Sequence, residues 1–339
     1  MSNLFGITKK DLEEYFLGIG QKKFKATQVY EWIYQKRVFS IDLFSNIKKE
    51  VRDQLKQNFD TSFIEIVEKQ EDELTKKYLF RLHDHEFIEA VVMMHDYGVS
   101  ICISSQVGCN MGCKFCESGR LKKVRNLEAY EMVEQILAIE KDAGVRISSV
   151  VIMGIGEPLD NYDEVVRFIS IINDAKGIQI GARHITVSTC GLVPKIYELS
   201  SLPIQINLAI SFHAPNDELR SKLMPVNKVY SIKELIEAIS YYLQVTSRRV
   251  TIEYVMLNNV NDSVEAAKEL ASLFKGMNIY VNLIPYNETN HLEFARSSKN
   301  KIHRFYDTLK QEGINVTIRK EFGTNIDAAC GQLRGRRNK

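Results

Sequence analysis

From about residue 99 the chain alternates short, nearly unbroken apolar runs with longer stretches whose apolar positions recur every three to four residues. The runs are 100–104, 149–153, 184–188, 206–211, 250–256, 280–284 and 315–319. The amphipathic stretches between them cover 129–143, 163–174, 232–243, 263–274 and 298–311. Strands that are apolar throughout are buried on both faces, and helical crossovers then join them in parallel. The pattern predicts an α/β fold built as a partial or full barrel, whose chemistry would gather at the C-terminal ends of its strands. The first 90 residues differ. Helical periodicity runs through 10–17, 26–36 and 47–59. Two strand-like runs, 77–82 and 88–94, then flank the polar turn His83-Asp-His-Glu86. The expected division is a small helical accessory domain with a linking hairpin over 1–90 and an α/β barrel domain over 91–339.

Composition sharpens this only in places. With 339 residues, 45% hydrophobic and 26% charged, the chain has the material for a large core without disulfide staples. A net charge of +2 excludes a strongly polybasic protein but leaves room for local basic patches. No apolar run approaches the ~18 residues of a membrane span, and the opening residues lack an apolar leader. A cytoplasmic protein with reduced thiols and no membrane partner is therefore expected. Against that background the six cysteines stand out: Cys102, Cys109, Cys113, Cys116, Cys190 and Cys330. Four of them fall within fifteen residues, a spacing that suggests a metal site or catalysis rather than crosslinks.

Cys109-Asn-Met-Gly-Cys113-Lys-Phe-Cys116 is a C-x3-C-x2-C motif placed just after the first barrel strand. Three thiolates in one loop repel one another unless they share a cationic partner. Structural zinc prefers four protein ligands in two separated pairs, and no second pair exists here. An iron–sulfur cluster with three cysteine ligands and one open iron fits better.

With an aromatic residue before its third cysteine, this motif resembles the signature of the radical S-adenosylmethionine (SAM) superfamily. More narrowly, the chain resembles the RlmN/Cfr family of rRNA methyltransferases along nearly its whole length. The resemblance is carried by 102–116, by Met153-Gly-Ile-Gly-Glu-Pro-Leu-Asp-Asn161, by Arg183-His-Ile-Thr-Val-Ser-Thr189, by Ser211-Phe-His-Ala-Pro-Asn216, by Leu283-Ile-Pro-Tyr-Asn287 and by Asp327-Ala-Ala-Cys-Gly-Gln-Leu333. It departs from the family pattern at Glu117-Ser118, where a small residue followed by Thr or Ser is commoner.

The resemblance implies a partial (β/α)6-type barrel of the radical SAM kind. It implies one [4Fe–4S] cluster held by Cys109, Cys113 and Cys116, and SAM consumed twice per turnover. Gly156 and Glu157 would hold the SAM amino group, and Ser188, Ser211, Phe212, His213 and Asn287 would complete its contacts. Read without the family, Gly154-Ile-Gly-Glu157 is also compatible with a plain turn, and His213 with a hydrogen-bonded core histidine. Cys330 would carry a methyl group as S-methylcysteine. Cys102 would resolve the enzyme–RNA adduct through a transient Cys102–Cys330 disulfide. Glu89, a lone carboxylate in an apolar strand, would be the proton acceptor, although Cys102 could equally serve as base. Cys190 matches no family role and is assigned to packing.

The implied reaction is methylation of C2 of adenine 2503 in 23S rRNA, and of adenine 37 in tRNAs. Methylation at C8 of the same rRNA adenine is the competing outcome within the family. A metal-stapled RNA-binding protein without catalysis is the reading from another class. Partners would be 23S rRNA, tRNA and an electron donor such as flavodoxin, with the chain acting as a monomer. Basic runs at 120–125, 248–249 and 334–339, with Lys22-Lys-Phe-Lys25 and Lys36-Arg37 in the first domain, suit a phosphate-binding track.

Overall fold

The structure is a computed structural model describing residues 2–289, 291–320, 323, 326 and 331–333. The N-terminal unit contains α1 (Lys9–Gly18), α2 (Phe24–Tyr30) and α3 (Lys49–Asn58). Three antiparallel strands follow: β1 (Glu65–Asp72), β2 (Thr75–Arg81) and β3 (Phe87–His95). The strands β4 (Gly98–Ile103), the short pair β5 (Gln106–Val107) and β6 (Arg125–Asn126), and helix α4 (Ala129–Ala143) come next. They are followed by β7 (Ile147–Ile152), α5 (Tyr162–Asn173), β8 (Ile185–Thr189), α6 (Val193–Ser200) and β9 (Asn207–Ser211). The chain continues with α7 (Asp217–Leu223), α8 (Ile232–Thr246), β10 (Val250–Met256), α9 (Val264–Leu273), β11 (Ile279–Pro285), α10 (Lys299–Gln311) and β12 (Val316–Ile318).

One ten-stranded sheet has the order β1-β2-β3-β4-β7-β8-β9-β10-β11-β12. From β4 to β12 every neighbouring pair is parallel. Each of those steps crosses through at least one helix, as parallel neighbours require. The result is the α/β barrel expected from the alternation, in the partial (β/α)6 form that the family resemblance implies, extended at one edge by the antiparallel β1–β3. The runs at 77–82 and 88–94 form β2 and β3, whereas β1 was not anticipated. Its residues Glu-Ile-Val-Glu-Lys-Gln-Glu-Asp are half-exposed along an edge, so it lacks an apolar run.

Period-two alternation divides the strand residues between two faces. Ile101, Val150, Val187, Leu208, Ile252 and Val281 join the large core beneath the helices. Their neighbours Cys102, Val151, Ser188, Ala209, Glu253 and Asn282 therefore face the barrel interior. Polar and reactive residues thus lie inside while aliphatic packing holds the wall. Among the described residues no helix is long and apolar enough to cross a membrane.

The helices are fixed at their ends by side chains. Glu128 and Glu131 form a capping box on α4, and Arg125 reaches both Glu131 oxygens at 2.7 and 2.8 Å. The N-terminal unit docks on the same helix. Arg37 donates to Glu140 Oε2 at 2.5 Å, while Glu140 Oε1 accepts the Ile147 N–H at 2.9 Å. Glu134 Oε2 accepts the Ile64 N–H at 3.0 Å. Removing the Glu140 carboxylate strands a half-buried guanidinium and a buried amide together. Glu140→Ala is expected to lower stability by about 3 kcal/mol, read as a lower urea midpoint at unchanged slope. A loss below about 0.5 kcal/mol, the range of ordinary surface changes, would contradict this docking role.

Candidate functional site

At the C-terminal ends of the parallel strands lies a cavity of about 900 Å³, counted to its open mouth. It is lined by the three loop cysteines Cys109, Cys113 and Cys116, by Gly154, Gly156 and Glu157 after β7, and by Ser188 on β8. Ser211 and His213 at β9, Asn287 beyond β11, and Gly331 complete the set that bears on its chemistry. The cavity therefore brings together residues from five separate strand ends, and nine of the thirteen candidate residues from the sequence line it.

The turn after β7 is shaped for close approach. Gly156 has φ 107, and a Cβ there would meet the Gln106 side chain at 2.6 Å, so only glycine fits. Gln106 is fully buried and braces this turn. Its Oε1 accepts the Glu157 N–H at 2.9 Å, and its Nε2 donates to Asn126 Oδ1 and Asp160 Oδ2 at 2.8 and 2.9 Å. Glu157 is buried, with Oε1 accepting the Leu159 N–H at 3.0 Å and Oε2 the Cys190 N–H at 2.7 Å. Burial pushes its pKa up, against the Cys190 and Leu159 amides and the Thr189 side chain, which favour the ionised form.

His213 sits at φ 60 after β9, its ring edge-on to Phe115. The Val255 N–H donates to Nδ1 at 3.0 Å, so Nε2 carries the proton of the neutral ring. Phe212 behaves differently from its neighbours. Its side chain turns to the outer core against Phe274, and its carbonyl accepts from Arg220 Nε at 3.2 Å. A ligand contact through the Phe212 ring therefore does not follow from this geometry, because β9 alternates faces.

Sequence reasoning passed over Gln106 and Glu253. Glu253 is buried in the cavity wall and accepts from Asn282 Nδ2 at 2.8 Å, and burial raises its pKa. The available signal was a single carboxylate inside the apolar run 250–256.

Cys102 lies just outside this lining, packed with Val91, Met93, Ile155 and Leu333, and Met153 touches both regions. It stands opposite Val91 across β3–β4. Glu89, two residues before Val91, thus faces the same side. Glu89 is buried and lies 3.3 Å from Lys77 Nζ. Cys330 lies outside the described residues. Its successors are fastened to the cysteine loop: Glu117 N–H donates to Gly331 O at 2.8 Å, and Ser118 Oγ donates to Leu333 O at 2.6 Å. The two positions that depart from the family pattern thus tie this segment down. Cys190 is buried, with its backbone clamped in the cavity wall.

Residues 2–60 match the N-terminal domain of ribosomal RNA large subunit methyltransferases, and residues 103–271 match the radical SAM superfamily. A protein of Acholeplasma laidlawii named "Probable dual-specificity RNA methyltransferase RlmN" is 52% identical over 332 residues, covering 98% of each chain. A Spiroplasma citri protein of the same name is 49% identical over 99% of this chain and 98% of its own. The solved radical SAM methyltransferase of Sphaerobacter thermophilus superposes with a TM-score of 0.94 at 41% identity, over 99% of this chain and 100% of the other. The chain belongs to the RlmN family of radical SAM RNA methyltransferases.

Membership of the RlmN family brings a [4Fe–4S] cluster and SAM, and the residues present fit both. Burial pushes the Cys109 thiol up to about 12 and Cys113 well above its ordinary value, and mutual repulsion with Cys116 adds to both shifts. Only a strongly cationic group turns such thiols into ligands. They share a wall rather than a point: among the described residues no three His, Cys, Asp or Glu side chains are grouped as single-ion ligands are. Glu157, whose ionised form burial disfavours, is matched by an ammonium such as that of SAM.

His213 gives this site a pH dependence. Burial holds its pKa at about 3, whereas in the unfolded chain it titrates near 6.5. Below pH 6.5 the unfolded chain therefore binds the extra proton, and stability falls as pH drops, until both forms are protonated below about 3. Between pH 7 and 5, urea unfolding of the native protein should lose about 2 kcal/mol more than that of His213→Asn, a residue tolerant of this φ. Equal losses would contradict the buried neutral imidazole.

Proposed function

We propose that this RlmN-family enzyme methylates C2 of adenine, at adenine 2503 of 23S rRNA and at adenine 37 of tRNAs. The observation that carries this reading is the single cavity joining Cys109, Cys113 and Cys116 to Glu157 and to Gly331, the residue after Cys330. Two relatives at about half identity are named as dual-specificity RNA methyltransferases, which supports two RNA substrates. In this reading residues 1–90 are the accessory, RNA-gripping unit with its hairpin and 91–339 the catalytic barrel.

Adenine C2 is not nucleophilic, so a polar transfer of methyl from SAM to it fails. The cluster and SAM, when bound, supply a carbon radical able to remove hydrogen from an unactivated methyl group. Gly156, Glu157, Ser188, Ser211, His213 and Asn287 would hold SAM, with Glu157 on its ammonium. Cys330 carries the methyl group on sulfur and delivers that carbon to C2. Glu89 or Cys102 takes the proton from C2, and the one electron left on the adduct would return to the oxidised cluster, giving a closed-shell thioether between Cys330 and C2. The Cys102 thiolate then attacks Cys330 sulfur, so an S–S bond forms as the C–S bond breaks, and the released carbon is protonated to methyl. Two electrons and two protons from an external reductant restore both thiols. Placement of Cys102 and Glu89 on one interior face supports this division of roles.

The test is anaerobic reaction of the reconstituted enzyme with unmodified 23S rRNA and tRNA, followed by nucleoside mass spectrometry. The expected product is 2-methyladenosine in both RNAs. Cys330→Ala should retain the cluster absorbance and form none. Either 8-methyladenosine as the product or an active Cys330→Ala variant would overturn the reading.

A further inference from the structure

Arg220 on α7 is fully buried, yet among the described residues no carboxylate forms an ion pair with it. All its hydrogen bonds go to neutral oxygens. Nη2 donates to the carbonyls of Cys190 at 2.6 Å and Ser211 at 3.3 Å, Nε to that of Phe212 at 3.2 Å, and Nη1 to Asn227 Oδ1 at 2.9 Å. The guanidinium also lies 5.5 Å from the centre of the Phe212 ring. Asp217, an exposed residue at the start of α7, is reached only through Asn227, whose Nδ2 donates to Asp217 Oδ1 at 2.8 Å. A buried cation with neutral partners is costly unless a negative charge lies nearby.

The place of Arg220 identifies that charge. Cys190 and Ser211, whose carbonyls it grips, line the cavity with Cys113. Its own helix backs the cysteine loop, because the Lys114 N–H donates to Leu223 O at 2.9 Å. Gly191 has φ 104, and a Cβ there would come within 3.3 Å of Arg220 Nη2, so glycine leaves the guanidinium space to close on the cavity wall. The Cys190 peptide is held from both ends, its N–H by Glu157 and its C=O by Arg220.

We propose that Arg220 is a positioning residue for electron transfer: a buried counter-charge behind the Cys109–Cys113–Cys116 cluster that raises the cluster's reduction potential. This rests on the reading that those cysteines hold a [4Fe–4S] cluster. Three thiolates on a [4Fe–4S]2+ core leave one negative charge. Adding one electron from a low-potential donor makes it two, close to an Arg220 charge that protein, not solvent, surrounds. A fixed positive charge favours the reduced form, and no proton needs to move.

The test is an electron paramagnetic resonance redox titration of the full-length, anaerobically reconstituted protein without SAM. In Arg220→Gln the reduced-to-oxidised ratio at a fixed potential should fall at least about tenfold, equivalent to 59 mV for one electron. Arg220→Lys, which keeps the charge but loses the fork, should stay within about threefold of native. Asp217→Asn removes the nearest negative charge and leaves Oδ1 to accept from Asn227, so the ratio should rise. A Gln variant at the native potential, or Lys and Gln variants shifted alike, overturns the proposal. If Arg220→Gln takes up no cluster, Asp217→Asn decides, and the absence of a rise overturns it. A native protein that takes up no cluster overturns the cluster assignment itself.

Discussion

Three sulfurs within eight residues, Cys109 buried and Cys113 and Cys116 partly buried, repel one another as thiolates, and the site is organised around that conflict. Burial drives Cys109 and Cys113 toward the protonated form, and repulsion from Cys116 adds to both shifts. A loop with this composition has a low-energy ionised state only around a cationic group, which its cavity is shaped to admit. The other polar groups of the cavity follow from the same requirement. Glu157 presents a buried carboxylate on the ligand side, His213 stays neutral, and Arg220 holds a positive charge behind the wall.

The barrel makes this arrangement affordable in structural terms. Parallel strands end on one side, so residues far apart in sequence arrive together without irregular buried backbone. Aliphatic residues facing the helices hold the wall, which leaves the interior free to carry Ser188, Glu253 and Asn282. Where backbone does turn sharply, at Gly156, a buried side chain takes up its hydrogen bonds: Gln106 accepts the Glu157 amide and anchors itself on Asn126 and Asp160.

Legibility followed from burial. Strands β4 and β7–β12 were readable because both of their faces are covered, which leaves continuous apolar runs in the sequence. The strand β1 was not, because its edge position lets charged residues alternate through it. The helices α6 and α7 were missed for another reason: with 8 and 7 residues they are too short for a period to show. The cysteine motif and the glycines of 154–156 were legible because their chemistry is local in sequence. Gln106, Arg220 and Glu253 were not, since their partners lie 20 to 54, 7 to 30 and 29 residues away. The outward turn of Phe212 was present in the alternation of Ser211, Phe212 and His213 but was outweighed by the family motif.

The central claim is that the three loop thiols hold a cluster with one iron open to SAM. Iron and sulfide analysis of the anaerobically reconstituted protein, with electron paramagnetic resonance of the reduced form before and after adding SAM, tests it most directly. The account predicts about four irons and as many sulfides per chain and a signal that changes when SAM binds. Stoichiometric zinc in place of iron, or a cluster signal that SAM leaves unchanged, would contradict it.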